Sequence, residues 1–133
     1  MNAPTVLRVS DIMQTEVHAV DGLATVSEAM SLMHRHRVSS LVVPRRDDDD
    51  EFGLILVSDI ARRVIAENRA PERVNVYEVM SKPVLTLPSE MQARYAVRLL
   101  VRFAVSRAVV VDNDRNPVGI ATLRDLVLGQ VRE

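Results

Sequence analysis

Apolar residues recur at helical spacing twice along the chain, within Val26–Met33 and within Ala93–Leu100. Each helical pattern is followed by two short apolar runs that are rich in β-branched residues and therefore predict buried strands. Polar, turn-rich loops separate the two runs of each pair, so each pair is predicted to form a hairpin. The four runs are Leu41–Val43, Leu54–Val57, Ala108–Val111 and Val118–Ala121.

Further elements flank each helix and its hairpin. A short extended stretch comes first, at Val17–Val20 in one half of the chain and at Val84–Leu87 in the other. A closing helix comes last, predicted at about Asp59–Asn68 and at about Leu123–Arg132. Arg69–Arg73 is predicted to be a linker, because it contains a proline that fits poorly inside a helix.

The two halves also match residue by residue, which indicates an internal repeat. Identical residues coincide at an offset of 67 positions before the hairpin loops and of 66 positions after them. We therefore expect an α/β (α+β) fold made of two βαββα-type units, at residues 8–68 and 74–132. The matched pairs include Met13 with Met80, Val42 with Val109, Gly53 with Gly119, and Asp59 with Asp125.

The junction between the last strand and the closing helix has a recognisable sequence in both halves. It reads Gly-Leu-Ile-Leu-Val-Ser-Asp-Ile at Gly53–Ile60 and Gly-Ile-Ala-Thr-Leu-Arg-Asp-Leu at Gly119–Leu126. Both halves have the same order of elements and the same kind of junction. The chain therefore resembles a pair of CBS (cystathionine β-synthase) domains, called a Bateman module, over roughly residues 9–131. The resemblance implies a pseudo-twofold axis and a cleft between the units. It also implies an adenosine ligand in that cleft, such as AMP, ADP, ATP or S-adenosylmethionine, and a homodimer of modules.

The nucleotide motif of this family is Gly-h-h-Thr/Ser-x-x-Asp, where h is apolar, and the second copy matches it with Gly119, Thr122 and Asp125. The resemblance implies that this aspartate accepts hydrogen bonds from the ribose hydroxyls, which a charged acceptor strengthens. A helix capping box explains the same Thr-x-x-Asp spacing without any ligand. The first copy keeps Asp59, with Ser58 beside it, but has a leucine at the hydroxyl position, so the better site is expected in the second copy.

Family position also suggests the remaining ligand contacts. Arg107 and Arg124 are the candidates for binding phosphate, because a planar guanidinium suits phosphate oxygens. Val84, Val105 and Ile120 are the candidates for the walls of an adenine slot. Solvated surface arginines and ordinary core packing are the alternative explanations for these residues.

The composition argues against several other functions. The chain has no cysteine, and it contains neither a Gly-x-Ser-x-Gly elbow nor a Walker phosphate loop, so an enzyme is not expected. The resemblance implies a regulatory protein instead. His34 and His36 are two residues apart, so on a helix they point in different directions, and no metal site is predicted. The acidic run Asp47–Glu51 lacks the ligand spacing of a calcium loop and is predicted to be a solvated hairpin loop.

The charge and hydrophobicity profile sets the expected partners and location. The formal net charge is −1 and aromatic residues make up 3% of the chain, which argues against nucleic acid. No apolar run approaches a membrane-helix length and no leader pattern is visible, so a cytoplasmic protein is expected. The repeats use nearly the whole chain, so a sensor would signal to a separate effector protein. A ligand-free dimerisation scaffold is the alternative function.

Overall fold

The computed structural model describes residues 6–131. The helices among these residues are α1 (Val9–Ile12), α2 (Val26–His36), α3 (Val57–Ile60), α4 (Ala93–Arg102) and α5 (Leu123–Leu128). The strands are β1 (Ser40–Val43), β2 (Gly53–Leu56), β3 (Thr86–Pro88), β4 (Arg107–Val111) and β5 (Pro117–Thr122). Ala61–Ile65 continues α3 as a π-helical stretch, and Pro71–Arg73 and Val76–Glu78 form short 3₁₀ turns.

The chain divides into two compact units. The first unit consists of residues 18–84, and the second unit consists of residues 6–17 together with 85–131. Each unit has its own cluster of buried apolar side chains. No helix among residues 6–131 combines the length and hydrophobicity needed to cross a bilayer.

In the first unit, α2 packs its apolar face on a two-stranded antiparallel sheet in which Ser40 pairs with Leu56. The helix starts at a capping box, because the Thr25 hydroxyl accepts the Glu28 N–H at 3.1 Å and the Glu28 carboxylate accepts the Thr25 N–H at 3.3 Å. It ends where Arg37 adopts the left-handed conformation at φ 56°. These two signals fix where the helix begins and ends.

The segment before α2 is extended but forms no regular strand. Its contact with the sheet is a single parallel bridge between Ala19 and Val42. The predicted strand to Val57 is one residue too long, because the Asp59 carboxylate accepts the Leu56 N–H at 3.0 Å and the helix starts at Val57. The closing helix therefore begins two residues before its predicted start. It becomes π-helical at residue 61, and that stretch ends at residue 65, short of the predicted Asn68.

In the second unit, β4 lies between β3, which runs parallel to it, and β5, which runs antiparallel. Leu87, Leu100, Val110 and Leu126 are fully buried between this sheet and the helices. Helix α5 ends at Leu128, which makes the predicted helix to Arg132 too long at its described end, and residue 132 itself lies outside the described residues.

The opening segment of each sequence repeat joins the unit built around the other repeat. Val9 of the first repeat is fully buried in the second unit, where its N–H donates to the Met91 carbonyl at 2.8 Å. Val76 of the second repeat is fully buried in the first unit, where its N–H donates to the Ala24 carbonyl at 2.8 Å. The boundaries 8–68 and 74–132 thus describe the duplication of the sequence, while the compact units interleave its segments.

Candidate functional site

The direct passage from β5 into α5 builds the candidate site of the second unit. Thr122 is both the last residue of the strand and the N-cap of the helix, and its hydroxyl accepts the Asp125 N–H at 3.1 Å. In the register of the hairpin, Arg107 lies directly opposite Thr122. Three side chains predicted from the motif and the family are therefore brought together at one end of this hairpin.

The carboxylate of Asp125 is held by a residue that the sequence analysis did not consider. Oδ2 accepts a hydrogen bond from Gln14 Nε2 at 2.8 Å, and Oδ1 lies 3.5 Å from Arg124 Nη1. The hydroxyl half of the predicted capping box is thus present, whereas the carboxylate is directed to Gln14. The Asp125 side chain keeps 26% of its surface exposed, so it is open to a ligand.

The charges around Asp125 favour its ionised form. The hydrogen bond from Gln14 has the largest effect and holds the pKa of the Asp125 carboxyl below its usual range, and Thr122, Arg124 and Arg107 act in the same direction. Partial burial opposes them. Burial lowers the pKa of the Arg107 guanidinium, and the nearby Asp125 charge partly offsets that effect. The site therefore places a carboxylate next to two guanidinium groups.

Gly119 has a role in positioning the neighbouring chain. A Cβ at this position would lie 2.5 Å from Met13 Sδ and 2.9 Å from the Gln14 carbonyl oxygen, which is too close for either contact. The missing side chain lets residue 14 pair with Ile120 through two backbone hydrogen bonds of 2.9 Å each. That pairing is what brings the Gln14 amide to Asp125.

The equivalent position in the first unit is more enclosed. Asp59 is only 5% exposed, its Oδ2 accepts the Leu56 N–H, and its Oδ1 accepts a bond from Arg62 Nη2 at 3.1 Å. Leu56 offers no hydroxyl there, and the neighbouring Ser58 is exposed. The two copies of the motif therefore differ in how far the aspartate side chain is exposed.

The other candidate residues are distributed over both units. Arg124 is 79% exposed, Ile120 is buried at the Gln14 pairing, and Val105 is exposed just after α4. Val84 is partly buried at the end of the first unit. The second unit thus assembles Arg107, Gly119, Ile120, Thr122, Arg124 and Asp125 around one strand-to-helix junction.

Sequence reasoning missed Gln14 and Arg62. Arg62 could have been predicted from the sequence, because two residues three positions apart on a helix lie on the same face and Arg62 follows Asp59 by three positions. The matching position in the second copy is Leu128, and that difference marks the asymmetry of the two copies. Gln14 has no such local signal, because it is 111 residues from Asp125 along the chain.

Two similar α/β units, each with an aspartate at a strand-to-helix junction, define a tandem domain pair. The CBS domain model matches residues 9–66 and 76–131, so the chain belongs to the CBS domain family. YhcV of Bacillus subtilis, a CBS domain-containing protein, is 33% identical over 123 residues, which are 92% of this chain and 85% of YhcV. The uncharacterized protein MK0525 of Methanopyrus kandleri is 27% identical over 90% of this chain, which spans 60% of the length of MK0525.

Solved structures agree with this assignment. The hexameric CBS-CP12 protein from bloom-forming cyanobacteria superimposes with a TM-score of 0.90 at 30% identity, over 96% of this chain and 74% of that chain. The CBS domain pair of MJ0100, in complex with 5′-methylthioadenosine and S-adenosyl-L-methionine, has a TM-score of 0.77 at 23% identity, over 93% of this chain and 95% of that chain. The tandem CBS-pair fold is therefore that of the present chain.

Proposed function

We propose that this chain is a regulatory protein that binds an adenosine nucleotide at the second-unit site and signals to a separate effector protein. The observation that carries this proposal is the partly exposed carboxylate of Asp125, which lies beside Arg107 and Arg124 at the start of α5. Adenosine ligands named for the related MJ0100 domain pair support the choice of ligand class.

Each residue has a distinct role in this proposal. The Asp125 carboxylate accepts hydrogen bonds from the ribose hydroxyls, and the Thr122 hydroxyl accepts the Asp125 backbone N–H, which holds Asp125 at the helix start. Arg107 and Arg124 bind the phosphates, and Gly119 fixes the strand that carries the site. The apolar side chains of Val105 and Ile120 contact adenine. Asp59 and Ser58 of the first unit are a weaker second site, because Arg62 already occupies the carboxylate.

Thermal melts with AMP, ADP, ATP and S-adenosylmethionine test the proposal. A ligand at 100 times its dissociation constant stabilises the folded state by about 2.7 kcal/mol, which raises Tm by several degrees. We expect the shift to vanish in Asp125→Asn. Asp114→Asn removes the same charge from an exposed loop of the same unit and should leave the shift intact. A shift of full size in Asp125→Asn would contradict the ribose contact.

Self-association is the alternative role, favoured by an apolar groove on the first unit. The groove runs between α2 and the π-helical stretch, and Met30, Val57 and Ile65 expose 37%, 49% and 53% of their surfaces there. Apolar side chains grouped in this way are typical of surfaces that are covered by a partner. A second copy of the chain is the partner we propose, with or without nucleotide.

Light scattering measures this association directly. We expect Ile65→Glu to convert a dimer into a monomer, since a charge in an apolar contact costs several kcal/mol when it is left unpaired. Leu23→Glu changes an apolar side chain that is 76% exposed elsewhere in the same unit, and the dimer should survive it. A dimer that binds none of the four ligands would support the scaffold role and exclude the sensor.

A further inference from the structure

Three arginines follow one another along the exposed side of α4. Arg94, Arg98 and Arg102 are four residues apart and exposed, so they lie on neighbouring turns at intervals of about 6 Å. Within residues 6–131, none of the three forms an ion pair with a carboxylate. The guanidinium carbons of Arg94 and Arg98 lie 5.1 Å and 5.4 Å from the centroid of the Tyr95 ring, which restricts their motion. We call this set of three side chains the arginine row.

The stability of α4 does not account for the arginine row. Like charges four residues apart on a helix repel each other, and the positive charge of Arg94 at the second helical residue opposes the helix dipole. The fold does not require the row either, since the first sequence repeat has Ser27 and Ser31 at the positions of Arg94 and Arg98. A row of like charges that weakens its own helix indicates a surface that an anionic group covers.

Apolar surface lies next to the arginine row. Tyr95 and Val101 expose 41% and 65% of their surfaces, and Phe103 just beyond the helix exposes 57%. Arginine and aromatic side chains are enriched at protein interfaces, where charges select the partner and apolar contacts add affinity. A groove of about 540 Å³ combines both kinds of side chain and is lined by Tyr95, Val97, Arg98, Leu99, Val101 and Arg102.

The same chain carries an acidic surface of matching charge on the loop between β1 and β2. Residues 47–51 are all acidic, and we call them the acidic loop. Two arginines against five acidic residues give the segment 45–51 a net charge of −3. The Asp50 side chain is 11% exposed and is bound by Lys82, whereas the three aspartates before it are exposed. The acidic loop therefore keeps three carboxylates available after its own ion pair has formed.

We propose that the acidic loop of one chain binds the arginine row of a second copy. The two features lie in different repeats, because the equivalent loop of the second repeat, residues 112–117, has a net charge of only −1. A contact between two different surfaces leaves one of each unoccupied, so it builds larger assemblies or closes a ring. Because it is electrostatic, this contact is sensitive to salt, unlike the apolar dimer proposed above.

Light scattering of the full chain at two salt concentrations tests this contact. In about 1 M NaCl, where the screening length falls to about 3 Å, only the apolar dimer should remain. In about 0.05 M NaCl, where screening is weak, we expect the mean mass to rise with protein concentration to at least about twice that value. Ile65→Glu, which is designed to disrupt the apolar dimer, should keep the salt-dependent increase, so the two associations are measured separately.

Charge reversal identifies the two surfaces that meet. Arg98→Glu/Arg102→Glu makes the row as negative as the loop, and Asp48→Arg/Asp49→Arg makes the loop as positive as the row. Each double variant should therefore lose the low-salt increase in mass. An equimolar mixture of the two should recover it, since the row of each variant then meets a loop of opposite charge on the other.

Arg35→Glu/Arg73→Glu is the matched control, because it reverses two exposed arginines of the first unit and should associate like the natural chain. Circular dichroism checks that each variant is folded. A low-salt increase that survives either reversal, or a mixture that stays at the mass of its components, would overturn the proposal. So would a chain that does not associate in low salt but binds a fluorescent oligonucleotide or phosphatidylserine vesicles through Arg98 and Arg102.

Discussion

At the scale of single residues, two aspartates at equivalent positions have different surroundings. Asp59 is buried and bound by Arg62 of its own helix, whereas Asp125 is partly exposed and bound by Gln14 from a distant segment. A ligand must replace a close ion pair at Asp59, whereas the hydrogen bond at Asp125 comes from a neutral amide and the Arg124 contact is longer, at 3.5 Å. Because hydrogen bonds between charged groups are the stronger ones, Asp125 is the easier carboxylate to engage.

The Gln14–Asp125 hydrogen bond should contribute to stability in a pH-dependent way. In the folded state this hydrogen bond lowers the pKa of Asp125 below the usual 3.8. The stabilisation is therefore fully present at pH values above the pKa that Asp125 has in the unfolded chain. It is lost as the pH falls through the lower folded value. We expect Gln14→Ala to reduce the free energy of unfolding by about 1 kcal/mol at pH 7, and by clearly less in acid.

Urea unfolding at pH 7 and at pH 3 measures this difference. Asp125→Asn is the second single variant of a double-mutant cycle with Gln14→Ala. At pH 7 the double variant should lose less stability than the sum of the two single variants, because both remove the same interaction. If Gln14→Ala destabilised the chain equally at both pH values, the charged form of Asp125 would not be the partner of this amide.

At the scale of elements, the hydrophobic pattern predicted the four hairpin strands and both long helices. The helical spacing of apolar residues and the content of β-branched residues are properties of short stretches of sequence, so they can be read without the fold. The closing helix of the first unit was harder to predict from the sequence. Its apolar face was visible, but the π-helical stretch at Ala61–Ile65 depends on backbone bonds such as the one from Ala66 N–H to the Ala61 carbonyl. The family motif likewise placed Thr122 and Asp125, but not the amide that binds the carboxylate. The second miss is tertiary in origin, because Gln14 is 111 residues from Asp125 along the chain.

The pairing of residue 14 with β5 makes Gly119 sensitive to substitution. In Gly119→Ala, the new methyl group would clash with Met13 Sδ and with a backbone carbonyl that is already fixed by the Ile120 N–H. We expect a loss of roughly 1–3 kcal/mol in the free energy of unfolding, as for other overpacked sites.

Gly22→Ala is the matched control for this experiment. A Cβ at Gly22 would be 3.5 Å from Val43 and 3.7 Å from Tyr77, which are ordinary contacts, so its unfolding free energy should stay within about 0.5 kcal/mol. Urea denaturation compares the two variants. Equal stability of both would mean that the segment at Met13 adapts freely to β5.

At the scale of the whole molecule, the duplicated sequence and the folded units have different boundaries. The valines at 74, 76 and 79 belong to the second sequence repeat, yet they are at most 2% exposed in the core of the first unit. Fully burying a valine contributes about 1.5–3 kcal/mol, so these three side chains account for a large part of what stabilises so small a unit. An inserted or deleted segment near residue 70 would therefore disturb the core of the first unit.

Two fragments of nearly equal length separate these boundaries by experiment. Residues 18–84 keep the whole buried cluster of the first unit, including the bond from Val26 N–H to the Val74 carbonyl at 2.8 Å. Residues 1–68 follow the sequence repeat and lose that bond and all three valines. We expect cooperative urea unfolding, followed by circular dichroism, for 18–84 and a non-cooperative loss of signal for 1–68. Cooperative unfolding of 1–68 at higher urea than 18–84 would contradict this expectation. It would mean that the sequence repeat folds on its own and that the opening segment of the other repeat is not needed for its stability.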